Sequence, residues 1–324
     1  MDACVHLDKV AKMNYEYFGK FLQELRLSKN MTRAGLAQDI CTPKQIYRIE
    51  KGEYEPSLYL INQLSIKFNL DLNEYFKMYA ANSTIAGLEG VNAMNAAIEN
   101  GDVLLLKSLV KQYENLEEFK NGTNIKTIYY GKALCAALLD KDYDSSLDYC
   151  IKGIRIECPG FTIDNIVSNT YSNIGISLII CMSQNYFALN QHSKGMGVLL
   201  EILTILEQHV IVSPYPMYTP SQFSKKVYQA VLYNISFHLL DKGDIKEALK
   251  YVETGIAFSL KEYNLRHLPE LIFMKFKILY QEGKYEEALE YYNRTISLYK
   301  ITNKESKAEE LELLAKTEYN QIFI

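Results

Sequence analysis

The sequence predicts an all-α protein in two parts: five short helices near the N-terminus, then an α-solenoid of about five stacked helical hairpins. Three observations predict it. Only 16 Gly and 7 Pro punctuate 324 residues, which suits long helices and not the many turns of a β architecture. Apolar residues recur at three- and four-residue spacing through residues 17–79. Beyond residue 90, a glycine or polar break followed by a helix with a small residue in its first turn recurs down the chain, as in a repeat architecture.

The length exceeds one ordinary helical core and suits two domains. The expected boundaries are an extension at 1–16, a first domain at 17–79, a linker at 80–90, whose small residues and closing Gly90 read as a domain boundary or an elbow before the next helix, and a repeat domain at 91–324. A content of 48% hydrophobic and 23% charged residues places the chain among globular proteins, not disordered ones. The net charge of −4 does not point to nucleic acid, but its sign is split. Residues 17–60 hold seven bases and five acids, so they carry +2 and leave −6 for the rest. A basic head on an acidic body fits a protein whose head alone meets phosphate. The six Cys form no CxxC pair, and the five His are scattered, so neither a metal nor a cofactor is expected. The N-terminus lacks the apolar core of a signal peptide. No apolar run approaches the ~20 residues of a membrane span. The expected location is the cytoplasm, without membrane contact.

In the head, Phe18, Phe21, Leu22, Leu25 and Leu27 share one face of a first helix that Asn30 ends. Thr32 is placed to cap a second helix over 33–40, with Leu36, Ala37 and Ile40 inward. Thr42 caps a third, and Pro43 takes its first position, where the missing N–H costs nothing. Ile46 and Ile49 face the core, and Gly52 breaks the helix. Pro56 and Ser57 open a fourth with Leu58, Ile61, Leu64 and Phe68 inward. Leu70, Leu72, Tyr75 and Phe76 outline a fifth.

A tight turn between the second and third of these helices is helix-turn-helix arithmetic. The stretch 25–57 resembles the phage-repressor type, through Arg26, Thr32, Leu36, Ala37, Ile46, Ile49, Glu50, Gly52, Pro56 and Ser57 in order. The resemblance implies a third helix in the DNA major groove with its N-terminal residues on base edges. The outward residues there are Pro43, Lys44, Gln45, Tyr47 and Arg48. Lys44 and Arg48 can donate to guanine, Gln45 can pair with adenine, and Pro43 or Tyr47 can touch a thymine methyl. On a bare helix Lys44 and Arg48 would be an ordinary solvated face; the motif around them favours base contact. Arg33 stands where this type usually has Gln, a position that implies a backbone phosphate contact, which Arg makes by a charge-assisted bond. Thr32 and Thr42 are further phosphate candidates besides their capping role. Arg26 and Glu50 resemble the family's buried ion pair, a structural tie between the first and third helices. Tyr47 departs from the small Ser usual there.

In the body, the clearest unit is 278–299: a helix ends at Glu282-Gly283, Tyr285 follows, then Ala288 at a crowded crossing and Tyr292. Gly243, Ile245, Ala248 and Val252 occupy the same places in 238–259, with the two alanines 40 residues apart. Weaker copies surround Gly101, and Tyr143 with Leu147. A looser fifth runs from Tyr171 to His209. The pattern resembles the tetratricopeptide repeat with a stretched period. Such units stack because one alone cannot bury its face, and the stack has a concave inner wall. Ser213–Pro220 is the one Pro-rich loop, and a helix from about Glu305 to Tyr319 caps the array.

A repressor-type head on tetratricopeptide-like repeats resembles the RNPP family of peptide-pheromone receptors, its PlcR-like and Rgg-like branches most. The resemblance implies a homodimeric transcription regulator in quorum sensing, which binds a palindromic duplex operator and holds a short signalling peptide in its groove. Extended peptides bring unpaired backbone groups that Asn side chains can satisfy. Asn173 and Asn234 match the family's peptide-clamping positions, at places that correspond on the first helices of two repeats, each just before a small residue, Gly175 or Ser236. Tyr171, Tyr228 and Tyr233 lie near for side-chain pockets, although packing alone explains tyrosines as well. Lys275 is a candidate for the peptide carboxylate. No nucleophile elbow, phosphate loop, HExxH or GxGxxG motif points to catalysis, so no catalytic residue is expected. Two alternatives remain open: a phage-type receptor governing lysogeny, and repeats that bind another protein instead of a peptide. Cys41, beside the third helix, reads as a small buried apolar residue more readily than as a redox switch.

Overall fold

The computed structural model describes residues 18–73, 75–76, 85–207 and 221–323. The extension at 1–16, the first half of the 80–90 segment and the Ser213–Pro220 loop lie outside the described residues. Those residues form helices and no strands. None of their helices is long and apolar enough to cross a membrane. The chain divides into two compact units, residues 1–156 and 157–324, and each is taken by itself.

The first unit opens with α1 (residues 18–28), α2 (Arg33–Ala37), α3 (Pro43–Glu50) and α4 (Leu58–Phe68). Phe18, Leu22, Leu36, Ala37, Ile46, Ile49, Ile61, Leu64 and Leu72 form their common core. Each boundary has a local cause. The Thr32 hydroxyl accepts the Gly35 N–H, and the Ser57 hydroxyl accepts that of Leu60. Asn30 and Asn69 end α1 and α4 in the left-handed region, at φ 54° and 51°. α2 stops at Ala37, short of the expected Ile40, because Asp39 is left-handed (φ 64°) and the Cys41 N–H returns to Ala37 O. Leu27 and Leu58, expected inward, are exposed, since each sits at a helix end beyond the reach of the core.

The remainder of this unit is two hairpins: α5 (Ile85–Glu99) with α6 (Val103–Tyr113), and α7 (Asn124–Cys135) with α8 (Tyr143–Arg155). The second half of the expected linker is therefore helical. Gly90 is not an elbow but a contact point, where a Cβ would lie 2.7 Å from the rings of Tyr113 and Phe119.

The second unit holds α9 (Asn173–Ala188) with α10 (His192–Leu206), α11 (Gln222–Asp241) with α12 (Ile245–Lys261), and α13 (Leu268–Gln281) with α14 (Tyr285–Ile301). α15 (Glu305–Glu318) closes the array. Its Ala308, Leu311 and Ala315 join the core of Phe276, Leu279, Ala288 and Tyr292. Lys304 and Lys307 also tie it to Glu270 of α13, at 2.9 and 3.1 Å.

The fourth residue of each returning helix explains how the hairpins close. It is Leu106, Ser146, Gly195, Ala248 or Ala288, and all five are buried. Four of the five are small, which lets the two helices of a hairpin approach closely. Ser146 and Ser183 add hydrogen bonds there, to Ala133 O (2.8 Å) and Gly195 O (2.9 Å).

Candidate functional site

α3 is built to present one face. The Thr42 hydroxyl accepts the Gln45 N–H (3.2 Å) while the Gln45 side-chain carbonyl accepts the Thr42 N–H (3.0 Å), a reciprocal cap that fixes the first turn. Ile46 and Ile49 point into the core, so Pro43, Lys44, Tyr47 and Arg48 face solvent. Gln45 is half-buried, and its carbonyl is committed to the cap, leaving only the NH₂ for any ligand. Arg48 lies 5.4 Å over the Tyr54 ring. Thr32 and Thr42 are exposed caps.

Behind this face, the Glu50 carboxylate is fully buried and holds two arginines. Arg26 meets it through Nε at 2.6 Å and Nη2 at 3.3 Å, and its Nη1 donates to Met31 O at 2.8 Å. Arg33 Nε donates at 2.7 Å to Glu50 Oε2, the oxygen that Arg26 Nη2 also reaches. This second pair gives no sign in the sequence. It anchors Arg33, whose guanidinium then lies 5.1 Å over the ring of Tyr47. Arg33 thus props Tyr47 on the exposed face in addition to any phosphate contact. Sequence reasoning also missed Gly19, where a Cβ would sit 2.1 Å from Ile49 O. That contact sets α1 against the C-terminal end of α3. Cys41 is half-buried, and burial pushes its thiol up.

Residues 22–75 match the family model HTH_3, helix-turn-helix. The head is a helix-turn-helix domain. The likeness of the whole chain to solved structures is one of fold. PlcR from Bacillus thuringiensis, solved with the peptide PapR7 and DNA, is 17% identical with a TM-score of 0.72, over 91% of this chain and 99% of that one. The SHP pheromone receptor Rgg2 from Streptococcus dysgalactiae is 14% identical with a TM-score of 0.61, over 93% and 99%. ComR from S. thermophilus, solved with DNA and its signalling peptide ComS, is 17% identical with a TM-score of 0.57, over 91% and 98%. No curated protein matches the chain in sequence.

Behind the helix-turn-helix head, the six residues expected at a peptide separate into two groups. Asn173 is exposed and Asn234 half-buried, and neither carboxamide has a hydrogen-bond partner among the described residues. Their places do not correspond, contrary to expectation. Asn173 is the first residue of α9, and Asn234 is the thirteenth of α11. The flanking Gly175 and Ser236 made them look alike in sequence, but the helices start at different points.

The other four are committed elsewhere. The Tyr171 hydroxyl donates to Ile166 O at 3.1 Å, and burial pushes its pKa up to about 12. Tyr228 is a core residue, packed edge-on to Phe258 with its hydroxyl on Glu207 at 3.0 Å. Tyr233 is half-buried against the core of Leu240, Ala248 and Met274. Lys275, expected to receive a carboxylate from a ligand, already holds Glu253 at 2.5 Å.

Proposed function

We propose that this chain is a cytoplasmic transcription regulator of the RNPP type, a quorum-sensing receptor. Its head reads a palindromic operator as a homodimer, and its repeat domain binds a short signalling peptide that controls that binding. One observation carries the reading. The capped α3 exposes Lys44, Tyr47 and Arg48 in a row on a helix-turn-helix head, within a chain that shares its fold over 91% of its length with proteins solved on DNA and peptide. Lys44 and Arg48 supply donors for guanine, and Tyr47 an apolar edge for a thymine methyl. Thr32, Thr42 and Arg33 supply donors for backbone phosphates in this reading.

Selection from a pool of randomised duplexes tests it with the full chain. Wild type is expected to return a two-fold symmetric site. Arg48→Ala is expected to lose about 1–3 kcal/mol of discrimination on that site, the contribution of a bidentate contact, while its thermal midpoint stays unchanged. Sequence-selective binding at full strength by the folded variant overturns the assignment of α3.

A further inference from the structure

A pocket of about 630 Å³ lies in residues 157–324, where the end of α9 and the first half of α10 meet the end of α11. That volume is in the range of small-molecule sites. Phe187, Met196, Leu200 and Leu239 supply apolar walls. The His238 ring lies flat on Phe187, with centroids 3.3 Å apart and an interplanar angle of 8°, and His192 meets the same Phe187 edge-on. The rim holds Asp241 and Lys242, one charge of each sign. None of the residues assigned above to a peptide lines it.

Gly197 gives the pocket its meaning. Glycine inside a helix is disfavoured against alanine, and close packing is one reason for it. Gly195, two residues earlier, has one: a Cβ there would lie 2.8 Å from the Phe187 ring. Gly197 has none. Its φ is not left-handed, and apart from its own helix backbone nothing lies within 4 Å of the place its Cβ would take. Gly197 is exposed and lines the pocket, so a glycine there leaves the wall open at that point. Burial holds the pKa of His238 down to about 4, so its ring is neutral at pH 7 and offers a hydrogen bond without a charge.

We propose that this pocket binds a small uncharged aromatic molecule, which packs against the Phe187–His238 stack and fills the space over Gly197. A ring N–H or hydroxyl of that molecule meets His238 or Ser193.

Indole is a suitable probe because the protein contains no Trp, so indole emission has no protein background of its own kind. Titration of indole with the full chain is expected to give a saturable blue shift. Gly197→Leu puts a side chain into the pocket from a position where its Cβ meets no neighbour outside its own helix. It is expected to weaken indole binding at least tenfold with a thermal midpoint equal to or above wild type, and Gly197→Ala to fall between. N-acetyl-tryptophanamide, the same ring on a peptide-like backbone, is expected to bind at least tenfold more weakly than indole. Equal affinity for the two assigns the pocket to the side chain of a peptide and overturns the free ligand. Absence of saturable indole binding, or undiminished binding by folded Gly197→Leu, overturns the site itself.

Discussion

Glu50 decides more about the head than any other single residue. Its buried carboxylate neutralises Arg26 and, through Arg33, steadies Tyr47 on the exposed face. Glu50→Gln would leave Arg26, only 5% exposed, without a counter-charge. The expected loss is about 3–5 kcal/mol of stability, read from urea unfolding of the full chain. A loss below ~1 kcal/mol would show that water reaches the pair. The Arg26–Glu50 half of this arrangement was legible because both residues stand in a recognisable motif. The Arg33–Glu50 half was not, because a spacing of 17 residues across the turn between α2 and α3 carries no local signal. The asparagines teach the complementary lesson. Asn173 and Asn234 look equivalent by their neighbours in sequence, yet stand at different heights on their helices. Each must therefore be tested alone. Asn234→Ala is expected to weaken the binding of a signalling peptide by about 1–3 kcal/mol, measured by calorimetry, because it would leave peptide backbone groups unpaired. Unchanged affinity removes Asn234 from the groove.

At the scale of elements, the hairpin turn is the unit that repeats. Each first helix of a hairpin ends on a left-handed residue, two positions before the second helix starts. These residues are Gly101 (φ 71°), Lys141 (54°), Asn190 (60°), Gly243 (87°) and Gly283 (73°). At Gly243 and Gly283 the turn was plain in the sequence, and those hairpins were located to the residue, while Gly101 marked a weaker copy. At Lys141 and Asn190 the same backbone is made by residues that only tolerate it, so these units read as weak or loose. Unequal helix lengths, 16 residues in α9 against 20 in α11, then hid the common register. Gly90 misled in the opposite sense, since a glycine that serves close helix contact looks like a hinge when only composition is visible. A prediction belongs to this turn. A left-handed lysine carries about 1 kcal/mol of backbone strain that glycine lacks. Lys141→Gly is therefore expected to raise the thermal midpoint by a few degrees, although glycine's greater freedom when unfolded offsets part of the gain. Gly283→Ala, the converse change in an open position, is expected to lower it by a similar amount. A lower midpoint for Lys141→Gly would mean that its side chain contributes more than the strain costs.

Over the whole molecule, the charge split explains how a chain of net −4 can approach DNA. The excess base sits in residues 17–60, and Lys44, Arg48 and Lys51 there are exposed, while the acids dominate elsewhere. Stability of the full chain has a separate electrostatic signature, set by two histidines. Burial lowers His238 and His267 from the ordinary 6.5 to about 4. Asp241 opposes the shift at His238 and Glu270 opposes it at His267, but burial prevails at both. Between pH 6.5 and 4 the unfolded chain takes up protons on these residues that the folded chain refuses. Folding stability is therefore unaffected by them above pH 6.5 and falls as pH drops through that window. The thermal midpoint of wild type is expected to decline between pH 7 and 5, before most carboxylates titrate. The double variant His238→Asn, His267→Gln should begin from its own midpoint at pH 7 and decline much less. The slope is the quantity to compare, because either substitution can shift the starting value through packing. Parallel slopes for wild type and the double variant would place both rings in contact with water in the folded protein, with pKa values near the ordinary 6.5.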